Sequence, residues 1–348
     1  MSIPDWAPFR SIIEQNNSFL ITSHVRPDAD ALGSELGIAA ILKSFGRQVT
    51  IVNASAPPSN LHFLNRDGSI LKLNEDIQAD SLPETDVFII ADTSAWQQLG
   101  SMADVIRSAD KQQVVIDHHV SSDSMNALEL KNTEAAATGE LVCQAAEYLG
   151  VSFDAETASA LYAAIATDTG WFRFPSTSET TMRIAADLMQ RGARPDVLFN
   201  LLYEQKSPAR VRLAGRVLNR LELDADGRLA WIYADKKDLM ETKAVPSDTE
   251  SLVNECLMIA GVQAAFIAVQ QPGGQIKFSL RCRQPYDVAR LAESFGGGGH
   301  KLASGATVPG PLEEAVKAVR EQFIRMLEPQ PTEDREPRPG GGVADVRT

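Results

Sequence analysis

The chain has 348 residues, 44% of them apolar and 23% charged, enough for about two ordinary domains that need no disulfide or metal staple. Acidic residues outnumber basic ones by 46 to 33, a formal charge of −13. That balance speaks against a protein that coats long nucleic acid and leaves room for a small anionic substrate in a local, metal-charged pocket. The three cysteines (Cys143, Cys256, Cys282) are widely spaced and form no C-x-x-C pair, so a reduced, cytoplasmic setting is expected. No apolar run reaches the length of a membrane span. The opening MSIPDWAPFRSIIEQ lacks the basic and apolar regions of a signal peptide.

In chain order, Phe19–Ser23 is a short run of strand formers. Residues 31–45 carry helical spacing at Leu32, Leu36, Ala39/Ala40 and Leu42, ended by Gly46. Strand-like runs follow at Val49–Val52, Val87–Ile90 and Val114–Ile116, and helical patterns at 138–149, 155–167 and 179–191. Continuous apolar strands separated by helices predict a doubly covered parallel sheet. The periodicity weakens between 190 and 215, around Arg191–Pro195 and Lys206–Pro208, where an interdomain connector is expected. The second half predicts a strand at 229–234, a helix at 248–260, strands at 262–270 and 275–282 about a Gly273–Gly274 hairpin turn, and a helix at 287–294. A glycine cluster and a helix at 312–327 complete it. This part reads as an antiparallel or mixed sheet. Residues 329–348, rich in proline, glycine and charge, are expected to be a disordered tail.

Only five histidines occur, and four stand in motif-like clusters. His24-Val-Arg-Pro-Asp28-Ala-Asp30 follows the first strand and opens the first helix, at the carboxyl end of a strand, where open α/β sheets bind ligands. One imidazole and two carboxylates within seven residues suit a divalent cation, although Asp30 also fits a helix cap. Asp92 ends a second apolar strand. Asp117-His118-His119 ends a third, and three ionisable groups there do not serve packing. Asp168, in Thr167-Asp-Thr-Gly170, closes a helix. Three strand ends of one sheet can converge on one edge. Oxygen and imidazole donors without thiolate favour Mn²⁺, Mg²⁺ or Co²⁺ over structural zinc. Four carboxylates (Asp28, Asp30, Asp92, Asp168) balance two such ions, and ion pairs about 3.5–4 Å apart activate water and clamp a phosphoryl group. His62, within Leu-His-Phe, is read as structural.

These motifs, in this order, resemble the DHH phosphoesterase superfamily over about residues 18–200. Phe278-Ser-Leu-Arg281, Asp287-Val288 and Phe295-Gly-Gly-Gly-Gly-His300 resemble its DHHA1 substrate domain, extending the likeness to about residue 328. In size and architecture the chain is similar to the NrnA-type branch, the bifunctional oligoribonucleases (nanoRNases) and 3′-phosphoadenosine-5′-phosphate (pAp) phosphatases. The resemblance implies a DHH domain over 1–195, a connector over 196–214 and a smaller, mixed-sheet DHHA1 domain over 215–328, with the active site in the cleft between them. It implies one metal on His24, Asp28 and Asp92, and a second on Asp30, Asp92, His118 and Asp168, with Mn²⁺ expected. Asp117 would orient an imidazole, and His119 would meet the scissile or leaving phosphate. Arg281, His300 and the amides of Gly297, Gly298 and Gly299 would grip the substrate's phosphate. The run is not a Walker loop, because no Gly-Lys-Ser/Thr follows. Ala29 and Ser304 depart from the family's usual glycine and alanine without removing a ligand.

The implied substrates are di- to tetranucleotides of RNA and pAp, with no long duplex, no membrane partner and a homodimer as the assembly weighed. A cyclic-di-AMP or pApA phosphodiesterase uses the same parts and remains the alternative. A RecJ-like single-strand exonuclease would be larger, and a family II pyrophosphatase lacks the GGGGH domain. A non-catalytic nucleotide sensor is disfavoured because every ligand position is filled. Arg26 and Arg173 are read as phosphate contacts or surface ion pairs. Trp96, Trp171 and the Phe172-Arg173-Phe174 stretch are read as packing in preference to base stacking.

Overall fold

In the computed structural model, which describes residues 4–120 and 122–328, the continuous apolar runs of the first half become strands buried on both faces. The chain enters through α1 (Ala7–Gln15) and continues through β1 (Ser18–Thr22), α2 (Ala29–Ser44), β2 (Gln48–Asn53), β3 (Ile70–Lys72), β4 (Val87–Ala91), α3 (Met102–Ala109), β5 (Gln112–Asp117) and β6 (Leu128–Lys131). The helices α4 (Thr138–Leu149), α5 (Ala155–Asp168), α6 (Glu179–Gln190) and α7 (Pro195–Tyr203) follow. All residues of β4, VFIIA, are buried, as a sheet covered on both faces requires. One apolar layer lies under α1, α2, α4, α5 and α6, the other under α3.

The six strands are all parallel, in the order β3-β2-β1-β4-β5-β6. Because β1 pairs with β2 on one side and β4 on the other, the winding reverses there, and the carboxyl ends of β1 and β4 open a crevice. Small residues let α2 lie close to α5. A Cβ at Gly33 would sit 2.5 Å from the Ala160 carbonyl oxygen, and one at Gly37 would strike Val142 and Leu161. This close approach brings the start of α2 and the end of α5 to the same edge of the sheet.

The second compact unit begins at Lys206. It comprises α8 (Pro208–Leu218), β7 (Glu222–Asp224), β8 (Leu229–Ala234), α9 (Lys236–Thr242), α10 (Leu252–Leu257), β9 (Ala264–Gln270), β10 (Ile276–Cys282), α11 (Val288–Glu293), β11 (Gly298–His300), β12 (Ala303–Val308) and α12 (Leu312–Leu327). Its sheet runs β11-β12-β10-β9-β8-β7, with β8 and β9 parallel and the other pairs antiparallel. Phe266, Phe278 and Phe323 are fully buried at its centre, and each such burial contributes about 1.5–3 kcal/mol. Phe266 and Phe323 stack at 5.3 Å.

The structure departs from the sequence expectations in three places. The stretch 196–214 is helical: α7 belongs to the first unit, α8 to the second, and the division falls between Gln205 and Lys206. Pro195 and Pro208, around which the periodicity weakens, occupy the first turns of these helices, where a missing N–H costs nothing. The helix expected over 248–260 is a 3₁₀ turn (Pro246–Thr249) followed by the short α10, separated by Ser251 at φ +67°. The glycine cluster at 296–299 is a helix stop followed by an edge strand, β11. The tail expected at 329–348 lies outside the described residues.

Candidate metal centre

His24 follows β1, Asp92 follows β4, and Asp117-His118-His119 ends β5. These are three adjacent strands, so their ends lie side by side at the crevice. Asp28 is the N-cap of α2, its Oδ1 accepting from the amides of Asp30 (3.0 Å) and Ala31 (3.1 Å). Asp30 lies in the first turn of α2, and Asp168 is the last residue of α5. The path into this site is strained. Arg26 has φ +54° directly before Pro27, and Asp92 has φ +60°, conformations that cost about 1–3 kcal/mol each and collect at functional sites. The Asp92 amide donates to the Ile116 carbonyl at 2.9 Å, which holds that turn against β5.

The side chains form three groups whose donor atoms lie within 4.8 Å of one another: His24/Asp28/Asp92, Asp30/His118/Asp168 and Asp92/His118/His119. His24 Nε2 is 3.4 Å from Asp92 Oδ2 and 3.9 Å from Asp28 Oδ1. His118 Nε2 is 3.3 Å from Asp168, 3.7 Å from Asp92 and 3.8 Å from Asp30. Asp92 therefore faces both histidines, one with each oxygen. The Nδ1 atoms of His24 and His118 meet the carbonyls of Val25 (3.0 Å) and Ala135 (3.2 Å). That holds both rings with Nε2 turned into the cluster.

Helix α4 begins against Asp30 and Asp92, two buried carboxylates of these groups. The amides of Thr138 and Gly139 donate to Asp30 at 2.7 and 2.8 Å, and the Thr138 hydroxyl donates to Asp92 Oδ1 at 2.8 Å. Ser34 reaches Asp30 from within α2 at 3.2 Å. Even so, Asp30 and Asp92 are only 1% and 2% exposed, and burial, with repulsion from Asp28 at Asp30 and from Asp30 and Asp28 at Asp92, pushes both above the ordinary carboxylate range. Asp168 rises to about 8 through burial and the charges of Asp30 and Asp28. Burial alone would lower His24, but hydrogen bonds and charge from Asp28 and Asp92 raise it to about 11. Carboxylates crowded beyond the available positive charge are the electrostatics of a cation site, and the oxygen and imidazole donors fit divalent ions. Cys143, Cys256 and Cys282 are free thiols that belong to none of the three groups.

Asp117 is different. Fully buried, it is nonetheless lowered to about 2, because hydrogen bonds from His119 and Ser94 outweigh the burial. It accepts from the His119 amide at 3.0 Å and from its Nδ1 at 2.8 Å, leaving Nε2 of this half-exposed ring outward. The imidazole that Asp117 orients is thus His119. His119 Nδ1 also lies 3.7 Å from Asp92, but that nitrogen is already committed to Asp117.

In the second unit, Arg281 (β10) and His300 (β11) both register with Ala303 of the strand between them. Directly paired residues share a face, so a small alanine separates the two cationic candidates on one side of the sheet. The glycines are spent differently from expectation. The amides of Gly296 and Gly297 donate to Glu293 and Ala292 at 2.9 Å, closing α11. A Cβ on Gly297 would meet the Gly305 oxygen at 2.2 Å, and one on Gly299 (φ +142°) the Ser304 Cα at 2.7 Å. Gly297 is therefore a close-packing residue without a free amide, and only Gly298 and Gly299 lie on the exposed edge strand. The Ser304 hydroxyl donates to the His300 carbonyl at 2.7 Å.

Trp171 packs against Phe199 (5.0 Å), Tyr203 (5.6 Å) and the core, and Trp96 lies under the Arg107 guanidinium at 4.3 Å. His62 is exposed on a 3₁₀ turn. Arg26, Arg173 and Phe174 are exposed, and Arg173 Nε donates to the Gly170 carbonyl. Sequence reasoning missed Thr138, Gly139, Ser94 and Lys131, which touch the site only through tertiary structure.

The DHH family model (N-terminal domain) matches residues 18–165, and the DHHA1 domain model matches residues 230–327. The chain is 30% identical to the bifunctional oligoribonuclease and PAP phosphatase NrnA of Bacillus subtilis, over 84% of this chain and 90% of that protein. It is 29% identical to the protein of the same name from Thermus thermophilus, over 88% and 90%. Among solved structures, an exopolyphosphatase-related protein from Bacteroides fragilis superimposes with a TM-score of 0.84, at 29% identity and over 93% of this chain and 97% of that one.

Proposed function

The chain belongs to the DHH/DHHA1 phosphoesterase family, and from that premise we propose that it hydrolyses oligoribonucleotides a few residues long to mononucleotides and removes the 3′-phosphate of pAp to leave AMP. The observation that carries this reading is the shared Asp92, which faces His24 with one oxygen and His118 with the other at the switch point of the sheet. It is supported by likeness along most of the chain to two proteins named for these activities. His24, Asp28 and Asp92 would hold one divalent ion, and Asp30, Asp92, His118 and Asp168 the second, with Mn²⁺ preferred. When bound, the ions activate water and neutralise charge on the phosphoryl group. Around them, Thr138 and the start of α4 hold Asp30 and Asp92 in position. His119, its Nδ1 fixed by Asp117, presents Nε2 to give a proton to the leaving oxygen. Arg281, His300 and the Gly298–Gly299 edge would take the substrate's terminal phosphate. Three free thiols support a reducing, cytoplasmic setting. Among the described residues, no helix is long and apolar enough to cross a membrane.

The test is a Mn²⁺-dependent turnover panel. It comprises a 5′-phosphorylated RNA dinucleotide, pAp, cyclic di-AMP, pyrophosphate and a long single-stranded DNA, with Asp117→Ala as control. Mononucleotide from the dinucleotide and phosphate from pAp, both lost in the variant, are expected. Turnover confined to cyclic di-AMP or to the DNA would transfer the chain to the corresponding rival activity. Nucleotide binding without turnover would leave a sensor.

A further inference from the structure

We propose that Lys131 and Ser94 are positioning residues for His119, acting through the Asp117 carboxylate; the proposal rests on the phosphoester-hydrolase reading above. Lys131 ends β6 and registers directly with Asp117 of β5. A lysine on an edge strand ordinarily reaches into solvent, yet this side chain is only 13% exposed and turns inward. Its Nζ lies 3.3 Å from Asp117 Oδ2 and 2.7 Å from Ser94 Oγ. Ser94, on the loop after β4, donates its hydroxyl to the same Oδ2 at 2.7 Å. Asp117 is thus divided by task. Oδ2 is pinned by Ser94 and Lys131, and Oδ1 accepts both N–H groups of His119.

The geometry gives this pin a function. The His119 ring is half exposed, and Oδ1 of Asp117 is the contact that holds its Nδ1. A carboxylate free to turn about its own axis would release the ring and misalign Nε2. Oδ2 fixed from two other strand ends prevents that rotation. Lys131 and Ser94 meet the Asp117 carboxylate, which belongs to none of the three ligand groups, so their effect should fall on proton delivery to the leaving group and spare the cation site.

Leaving-group dependence separates these roles. Full-length wild type, Lys131→Met and Ser94→Ala are compared on the 5′-phosphorylated RNA dinucleotide, whose alkoxide leaving group needs a proton, and on thymidine 5′-p-nitrophenyl phosphate, whose phenolate does not. Mn²⁺ affinity is measured by calorimetry alongside. For Lys131→Met, kcat on the dinucleotide is expected to fall about 10–100-fold, the range seen for groups that orient functional side chains. KM, Mn²⁺ affinity and the p-nitrophenyl rate should stay within about threefold. Ser94→Ala, which keeps the charge, should show the same split at smaller amplitude. Equal losses on both substrates, a fall in Mn²⁺ affinity, or unchanged kcat on the dinucleotide would each overturn the proposal. Should Lys131→Met fail to fold, Ser94→Ala decides by the same criterion. Failure of the underlying reading is distinguishable, because the wild type itself would then not turn over the dinucleotide.

Discussion

The carboxyl edge of the parallel sheet and the outer edge of the mixed sheet solve opposite problems with opposite materials. At the first, charged groups are taken out of water: Asp30, Asp92 and Asp117 are essentially buried and are held by helix amides, hydroxyls, imidazoles and Lys131. At the second, Gly298, Gly299 and His300 are exposed on a three-residue edge strand, and the precision lies in backbone packing against β12. A site that gathers like charges needs low dielectric and many fixed partners to preorganise it. A site that grips one end of a short anion can stay open, provided the backbone can come close. On the proposed reading, bond-making groups would sit on buried strand ends and recognition groups on a glycine edge.

Substitutions can break the comparison in order of size. Asp92→Asn keeps the volume and the left-handed backbone, which asparagine also tolerates, but removes the charge that both histidines share. Turnover should fall at least about 10³-fold, some 4 kcal/mol of barrier, with Tm held and Mn²⁺ binding by calorimetry reduced. Retained turnover would show that this carboxylate is not the hinge of the site.

Glu35, fully buried on α2 and accepting from Asn53 Nδ2 at 3.0 Å, tests the cost of burial without ligand chemistry. Burial raises it from 4.5 to about 7. The unfolded chain then loses its proton first, so the native state becomes progressively less stable as pH climbs from about 4.5 through about 7. Glu35→Gln should remove that slope, leaving stability unchanged at low pH and raising it by about 3 kcal/mol at pH 8. Denaturant melts across the range measure it, and a pH-independent difference between the two proteins would refute it.

Gly299→Ala acts on the exposed edge. With φ +142° and Ser304 Cα 2.7 Å from the new methyl, it should cost the second unit about 2 kcal/mol. KM for phosphorylated dinucleotide should rise, while Mn²⁺ affinity at the first unit stays unchanged. A parallel fall in Mn²⁺ affinity would contradict the separation of the two regions.

Much of the candidate metal centre was legible because its residues are local in sequence and costly to place elsewhere. H-x-x-P-D-x-D, the strand-ending Asp92 and D-H-H sit where apolar runs stop, and a histidine-poor chain makes them conspicuous. Thr138, Ser94 and Lys131 were not legible, since a threonine opening a helix and a lysine ending a strand look like ordinary cap and surface residues. The glycine run was legible only in part, because an amide offered to an anion and one spent on close packing leave the same letters. The connector reading failed at α7 and α8, because weak periodicity hid two helices that Pro195 and Pro208 begin.

Sequence by itself determined the alternation of apolar strand and helix, the two-part organisation and the identity of the charged groups, because periodicity and the cost of burying charge are local properties. Tertiary structure alone decided the strand order that sets β1 beside β4 and β5, the sharing of Asp92 and the assignment of Asp117 to His119. It also decided the use of the glycines. The strand order and the sharing of Asp92 depend on which distant segments pack together, and the Asp117–His119 contact, though local, is held by Ser94 and Lys131 from other strand ends.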